Sequence, residues 1–236
     1  MRLLPLLALP FLVTAAMATD GNNDRGPGLT GERQGDTTTY RAMDFDKVAF
    51  GLAGDVDVRV GPAWSVRATG PAAAFANLRI VRENGTLEIA HRYRNQDTNR
   101  DLERQVHFVV TLPRIAGAML GGSGRMTVDR VRGSAFEATV GGSGSLSLGT
   151  IEVDRATVAI GGSGGITARG SARSLAVSVG GSGSLQAPDL RAASARVSTA
   201  GSGIVRATVD GPATVSVVGS GQIDLGRNSR VVRSRA

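Results

Sequence analysis

Residues 119–146 read MLGGSGRMTVDRVRGSAFEATVGGSGSL, and the Gly-Gly-Ser-Gly found twice within them returns in close variants four more times. The serines of these turns are Ser123, Ser143, Ser163, Ser182, Ser202 and Ser220, separated by 20, 20, 19, 20 and 18 residues. Glycine precedes each one (Gly122, Gly142, Gly162, Gly181, Gly201, Gly219) and follows each one (Gly124, Gly144, Gly164, Gly183, Gly203, Gly221). A period near 20 is too short for paired-helix repeats and suits one coil of a solenoid.

The flanks identify the coil. Three residues after the serines stand Met126, Leu146, Ile166, Leu185, Val205 and Ile223; three before stand Leu120, Val140, Ile160, Val179, Thr199 and Val217. Five before come Ala118, Ala138, Val158, Val177, Val197 and Val215. This spacing has the period of two that belongs to a strand, and no i, i+3, i+4 pattern competes with it. Stacked coils would bury one another's apolar faces, with parallel strands about 4.8 Å apart. The expected fold is all-β: a parallel β-solenoid, or β-helix, of GSG coils of about 20 residues, with an antiparallel hairpin section near its N-terminal end.

The glycine turns fail the tests for chemistry. None is followed by the lysine that a phosphate-cradling Walker loop needs, and strands rather than a helix follow each one. Gly161-Gly162-Ser163-Gly164-Gly165 matches the G-x-S-x-G nucleophile elbow, but the chain's two histidines, His91 and His107, precede it, and the elbow requires a helix and a later histidine. Two residues after the serines stand Arg125, Ser145, Gly165, Ser184, Ile204 and Gln222, so the aspartate column of calcium-binding repeats is missing. Asp129, Asp154, Asp189 and Asp210 occupy different offsets, which argues against a glycosidase or lyase centre. The GSG turns therefore read as structural corners. Their glycines are expected to permit backbone angles that a β-carbon forbids and to let corners stack closely. Whether the serine ladder points inward or outward stays open. No catalytic, cofactor-binding or metal-binding residue is expected, and no enzyme activity.

The chain of 236 residues suits one domain with an appendage. Apolar residues make up 41% and aromatics only 4%, so the core must be built from thin aliphatic layers. Without cysteine it has no disulfides and no thiolate metal sites. Residues 1–18, MRLLPLLALPFLVTAAMA, have the charge, apolar run and A-x-A ending of a signal peptide cleaved after Ala18. Residues 19–40 read as a disordered polar linker, and 227–236, with Arg227, Arg230, Arg233 and Arg235, as a frayed basic tail. The net charge is +7. Behind a signal peptide, that charge points away from nucleic acid: it reads first as a solvated basic surface, and the acidic partners it would suit are lipid headgroups or an anionic surface polysaccharide. The expected partner is an envelope protein or such a polysaccharide. No later stretch is long and apolar enough to span a membrane.

The first half carries the same coil in weaker form. VAFGLAGDVDV, residues 48–58, aligns with VAIGGSGGITA, residues 158–168, and places Ala53 at the serine position. LRIVRENGTLEIAHRY follows, two strand-like runs joined at Asn84-Gly85, a strong hairpin signal that also explains the Asn-Gly-Thr sequon. RNQDTNRDLERQ reads as loop and VHFVVTLP as a strand ended by Pro113. The hairpin section, about residues 60–113, is expected to interrupt or cap the prism, with repeats over about 114–226. Trp64, Tyr93 and His91 could form a sugar-stacking patch, although such residues more often complete a small core.

Taken together, FDKVAFGLAGDVDVRVG (45–61), the LRIVRENGTLEI hairpin, FVVTLP before the first turn and the GSG-x-hydrophobic units resemble the GIN domain, the auto-transporter adhesin head domain of bacterial envelopes. The resemblance covers residues 41–226. It implies an exported bacterial protein with a β-helical body and offers no catalytic motif. The expected function is a non-enzymatic protein of the periplasm, outer envelope or cell surface that presents a rigid solenoid for binding or adhesion. A periplasmic regulatory or stress-sensing module is the alternative, and a carbohydrate-active β-helix enzyme a remote one.

Overall fold

Alternating residues around each glycine turn do form strands, and the strands stack in parallel. A computed structural model describes residues 28–92 and 100–233. In chain order its strands are β1 (Gly31–Gln34), β2 (Thr37–Tyr40), β3 (Lys47–Phe50), β4 (Asp55–Val60), β5 (Ser65–Thr69), β6 (Leu78–Glu83), β7 (Thr86–His91), β8 (His107–Leu112) and β9 (Gly117–Leu120). The repeat region adds β10 (Arg125–Val140), β11 (Ser145–Ile160), β12 (Gly165–Gly181), β13 (Ser184–Gly201), β14 (Ile204–Val209), β15 (Pro212–Val218), β16 (Gln222–Asp224) and β17 (Arg230–Arg233). Two single helical turns, α1 (Ala72–Phe75) and α2 (Arg100–Glu103), complete the described residues. The signal peptide read at 1–18 lies outside them.

Register makes the core a set of ladders. Met126 pairs with Leu146, Leu146 with Ile166, Ile166 with Leu185, Leu185 with Val205 and Val205 with Ile223. A second column runs Leu120, Val140, Ile160, Val179, Thr199, Val217. Every member of these columns is buried except the last, Ile223 and Val217, which end the stack. The shortened coils are absorbed away from the glycine corners, by register shifts such as the one between Thr167 and Gly170.

At the corners the ladder does not stop. Gly144 N–H donates to Gly122 O at 3.2 Å and Ser145 N–H to Gly124 O at 3.1 Å; Gly164 and Gly165 repeat this one coil on. A β-carbon on Gly162 would sit 2.5 Å from Gly142 O, and one on Gly164 2.5 Å from Gly144 O. Close approach of stacked backbones therefore explains the glycines of the first three corners, whereas the expectation of special backbone angles holds only later, as at Gly181 with φ +126°. The leading glycine of each GGSG is different. Gly121, Gly141, Gly161 and Gly180 have nothing within 4 Å of a β-carbon. Corners five and six already carry Ala200 and Val218 at that place.

The N-terminal end departs from chain order. β3 and β4 form the degenerate coil, with Phe50 opposite Leu120 and Val56 opposite Met126, so Ala53 lies beneath Ser123. On their other side β7 and β8 pair with β3 and β4, also in parallel. The hairpin section thus supplies a further coil, and the coil first in sequence lies between two later ones. Phe50 and Phe108 meet edge to face across this junction, with centroids 6.0 Å apart. Antiparallel strands seal the end: β6 on β7, turning at Asn84 (φ 49°) and Gly85 (φ 74°), then β5 on β8, β2 on β5 and β1 on β2.

Two expectations fail here. Residues 31–40, read as part of a disordered linker, form the β1–β2 hairpin, because Thr38 and Tyr40 bury against the cap. The basic segment read as frayed contributes β17, paired in parallel to β15 with Val231 opposite Ala213. That far end has no cap among the described residues. Val217 is 42% exposed and Val232 67% exposed, and Val218 and Val231 are exposed with them.

The corner geometry separates adjacent glycines. Gly161→Ala should change unfolding free energy by no more than about 0.5 kcal/mol, whereas Gly162→Ala should cost about 1–3 kcal/mol through overpacking; urea denaturation of both variants checks this. Thr199 sits in an aliphatic column, 1% exposed, with its hydroxyl unpartnered. Thr199→Val should therefore stabilise by about 1 kcal/mol or more, read from the thermal midpoint.

Candidate functional site

The six GSG serines lie on one edge of the prism and face outward, while the glycine after each of the first five is buried. None of their hydroxyls bonds to a protein group among the described residues. Ser163, in the G-x-S-x-G match, is followed by strand β12 rather than a helix. The aspartates of the repeats do not converge: Asp154 pairs with Arg173 at 3.1 Å, Asp210 with Arg191 at 3.6 Å, and Asp129 accepts from Val60 N–H at 3.0 Å. Among the described residues no group of three or more His, Asp or Glu side chains is placed to hold a metal ion.

Among the described residues, three recesses at the N-terminal end stand out. The first, about 290 Å³, opens at the start of the serine edge and is lined by Ala53, His91, Arg100, Glu103, Ser123 and Ser143 among others. The coil formed by β7 and β8 lacks a glycine corner, and α2 takes that place. Glu103, only 6% exposed, accepts from Ala53 N–H through Oε2 at 3.3 Å. Its Oε1 lies 2.6 Å from His91 Nε2. Both carboxylate oxygens are thus engaged, and the pair fastens α2 over the first corner.

The second recess, about 320 Å³, lies between the β1–β2 hairpin and α1 and includes Arg33, Tyr40, Phe75 and Ile80. Arg33 Nη2 donates to Gly70 O at 3.0 Å, and the guanidinium stands 5.5 Å over the Phe75 ring. Burial raises the Tyr40 phenol above its ordinary value, because the phenolate would be desolvated, and the Arg33 charge opposes this in part.

The third, about 390 Å³, is formed by Asp44, Phe45, Asp46, Trp64, Gly85, Pro113 and Arg114. It gathers residues far apart in sequence onto the loops before β3, β5 and β9. Trp64 is 37% exposed and its Nε1–H donates to Phe45 O at 3.0 Å. Asp46 pairs with Arg114 at 3.1 Å across 68 residues of sequence. Asp44 holds a left-handed φ of 58°, and its carbonyl is clamped by Arg82 Nε at 3.2 Å and Nη2 at 3.0 Å.

The aromatic patch read from sequence is therefore not assembled. Trp64 belongs to the third recess and His91 to the first, and Tyr93 lies outside the described residues. Asp44, Asp46 and Arg114 escape sequence reasoning, since nothing local marks residues brought together by the stacking of distant coils.

Comparison with known proteins agrees on the architecture. The family described as "Putative auto-transporter adhesin, head GIN domain" matches residues 44–228. No curated protein matches the sequence. Among solved structures, a "putative adhesin" from Bacteroides fragilis superposes with a TM-score of 0.67 at 18% identity, covering 85% of this chain and 96% of that one. A "putative lipid binding protein" from Parabacteroides distasonis gives 0.64 at 20% identity, over 90% and 94%. A "putative adhesin" from Parabacteroides merdae gives 0.64 at 15% identity, over 84% and 91%. At these identities the likeness is one of fold.

Tyr40 gives the second recess a pH signature. With its folded value raised, the neutral phenol contributes stability that is fully present below the unfolded value near 10. That contribution should be lost as pH rises through the folded value. Thermal unfolding across the alkaline range should show the loss in the native chain and a flatter profile in Tyr40→Phe.

Proposed function

Because the chain belongs to the GIN domain family, we propose that it is an exported, non-enzymatic envelope protein whose solenoid presents a rigid surface for binding and adhesion. The observation that carries this reading is the stack itself. A continuous backbone ladder fixes outward columns of side chains at a repeat of about 4.8 Å. Such a scaffold can hold many weak contacts in register, and a surface that stays put on binding loses little conformational entropy. The uncharged serine edge and the arginine-bearing flanks offer two chemically distinct faces. The excess of arginine favours an acidic partner, an envelope protein or an anionic surface polysaccharide. The leader read at residues 1–18 would deliver the chain to the periplasm, outer envelope or cell surface.

A second reading, a periplasmic module that contacts other envelope proteins, is favoured by the far end of the stack. There Val217, Val218, Val231 and Val232 are all exposed on an open sheet edge. Unpaired edges of this kind are templates for another strand.

Localisation separates the two. Protease added to intact cells should degrade a surface adhesin, and beads coated with the purified chain should adhere to cells or matrix. Protection from the protease, with release only after the outer envelope is opened, would replace the adhesion reading by the periplasmic one. N-terminal sequencing of the mature protein should begin at Thr19.

A further inference from the structure

We propose that the recess walled by Trp64, Asp44, Asp46 and Arg114 is a binding site for a neutral saccharide. The inference rests on the reading of the solenoid as a binding surface and adds to it a place and a ligand class distinct from the acidic partner that the whole-chain charge favours. Its volume of about 390 Å³ is the largest of the three recesses and falls within the range of small-molecule sites. Saccharide recognition needs a fixed aromatic wall for the apolar faces of the sugar ring and planar polar groups for its hydroxyls.

Each wall here is fixed by a bond that the solenoid ladder does not require. Trp64 is tied through its indole N–H to Phe45 O at 3.0 Å while 37% of its surface stays open to solvent. Asp46 is tied to Arg114, whose side chain is still 71% exposed and has further N–H donors to offer. The carbonyl of Asp44 is held by two guanidinium nitrogens of Arg82, and its carboxylate has no partner among the described residues. Asp44 is one of only two non-glycine residues with positive φ among the described residues; the other, Asn84, turns the hairpin. Asp visits the left-handed region readily at bends, and the bend at Asp44 turns the chain beside the recess. Met43, 65% exposed, precedes it in the same loop. Together Met43 and Trp64 are the only exposed large hydrophobics outside the open end of the stack, again among the described residues.

Charge decides the class of sugar. Two carboxylates and two guanidiniums balance within and behind this recess, although the chain as a whole carries +7. An acidic glycan would meet Asp44 directly. A neutral ring meets acceptors at Asp44 and donors at Arg114, with no net charge to desolvate.

Trp64 is the only tryptophan in the chain, so its emission reports this recess alone. The full chain would be titrated with maltotriose, mannotriose and the N-acetylglucosamine trimer, with alginate and hyaluronan oligomers as acidic counterparts. A neutral trisaccharide should shift and saturate the Trp64 emission. Asp44→Asn keeps the shape and tolerates the left-handed backbone; it should weaken binding several-fold. Trp64→Ala, followed by calorimetry, should weaken binding at least about tenfold, with an unchanged circular dichroism spectrum verifying the fold. Silence of all three neutral probes at millimolar concentration, binding of the acidic probes alone, or undiminished binding by both variants would each overturn the proposal. Adherence of coated beads that survives Trp64→Ala while the neutral probes stay silent would defeat this site and leave adhesion standing. Saturable saccharide binding by a chain that fails to adhere would do the reverse.

Discussion

Main-chain hydrogen bonding that continues around the bends is the constraint on which the rest of this structure depends. In most sheet proteins a turn leaves the ladder, so its residues are free to carry side chains. Here the carbonyls of Gly122 and Gly124 accept from the next coil at 3.2 and 3.1 Å, so the ladder runs on through the corner. Nothing bulkier than hydrogen fits between successive corner backbones. This excluded volume, rather than a demand for unusual dihedral angles, accounts for the glycine on either side of the serine in the first coils. It also explains why the serine itself is exempt: its side chain leaves the prism.

That constraint made the fold legible. A ladder running through every bend imposes the same residue at every bend, and a step near 20 in Ser123, Ser143 and Ser163 is enough to count coils. The inward columns were legible for the same reason, since each lies in register with like residues above and below. Local pattern failed at the margins. Gly31–Gln34 has no buried face to alternate, and Thr38 and Tyr40 bury through the cap, where β1 and β5 flank their strand. The run Arg230–Arg233 pairs through backbone groups, which composition does not advertise.

The recesses were far less legible. Trp64 stands out in the sequence as a rare aromatic, but its neighbours come from loops that only the stack brings together. Asp46 and Arg114 are 68 residues apart, and the pattern around neither announces the other. Glu103 shows the same limit: it stands within a polar run of sequence, yet its carboxylate is buried against the first corner, bonded to Ala53 N–H and to His91. Periodicity reports what repeats, and a binding recess in a repeat protein arises where repetition is broken.

The placement of β3 and β4 between coils that follow them in sequence bears on how the molecule assembles. Val48 faces Leu87 on one side and Ala118 on the other, so both of its neighbours lie later in the chain. A polypeptide delivered amino end first therefore leaves this coil without a neighbour until Leu87 arrives, and leaves its other side open until Ala118 does. The regular coils from Met126 onward each need only the one before. Pairings between sequence-distant strands close the longest loops and form slowly. The cost of loop closure therefore favours zippering of the repeats over closure of the early coil and its lid.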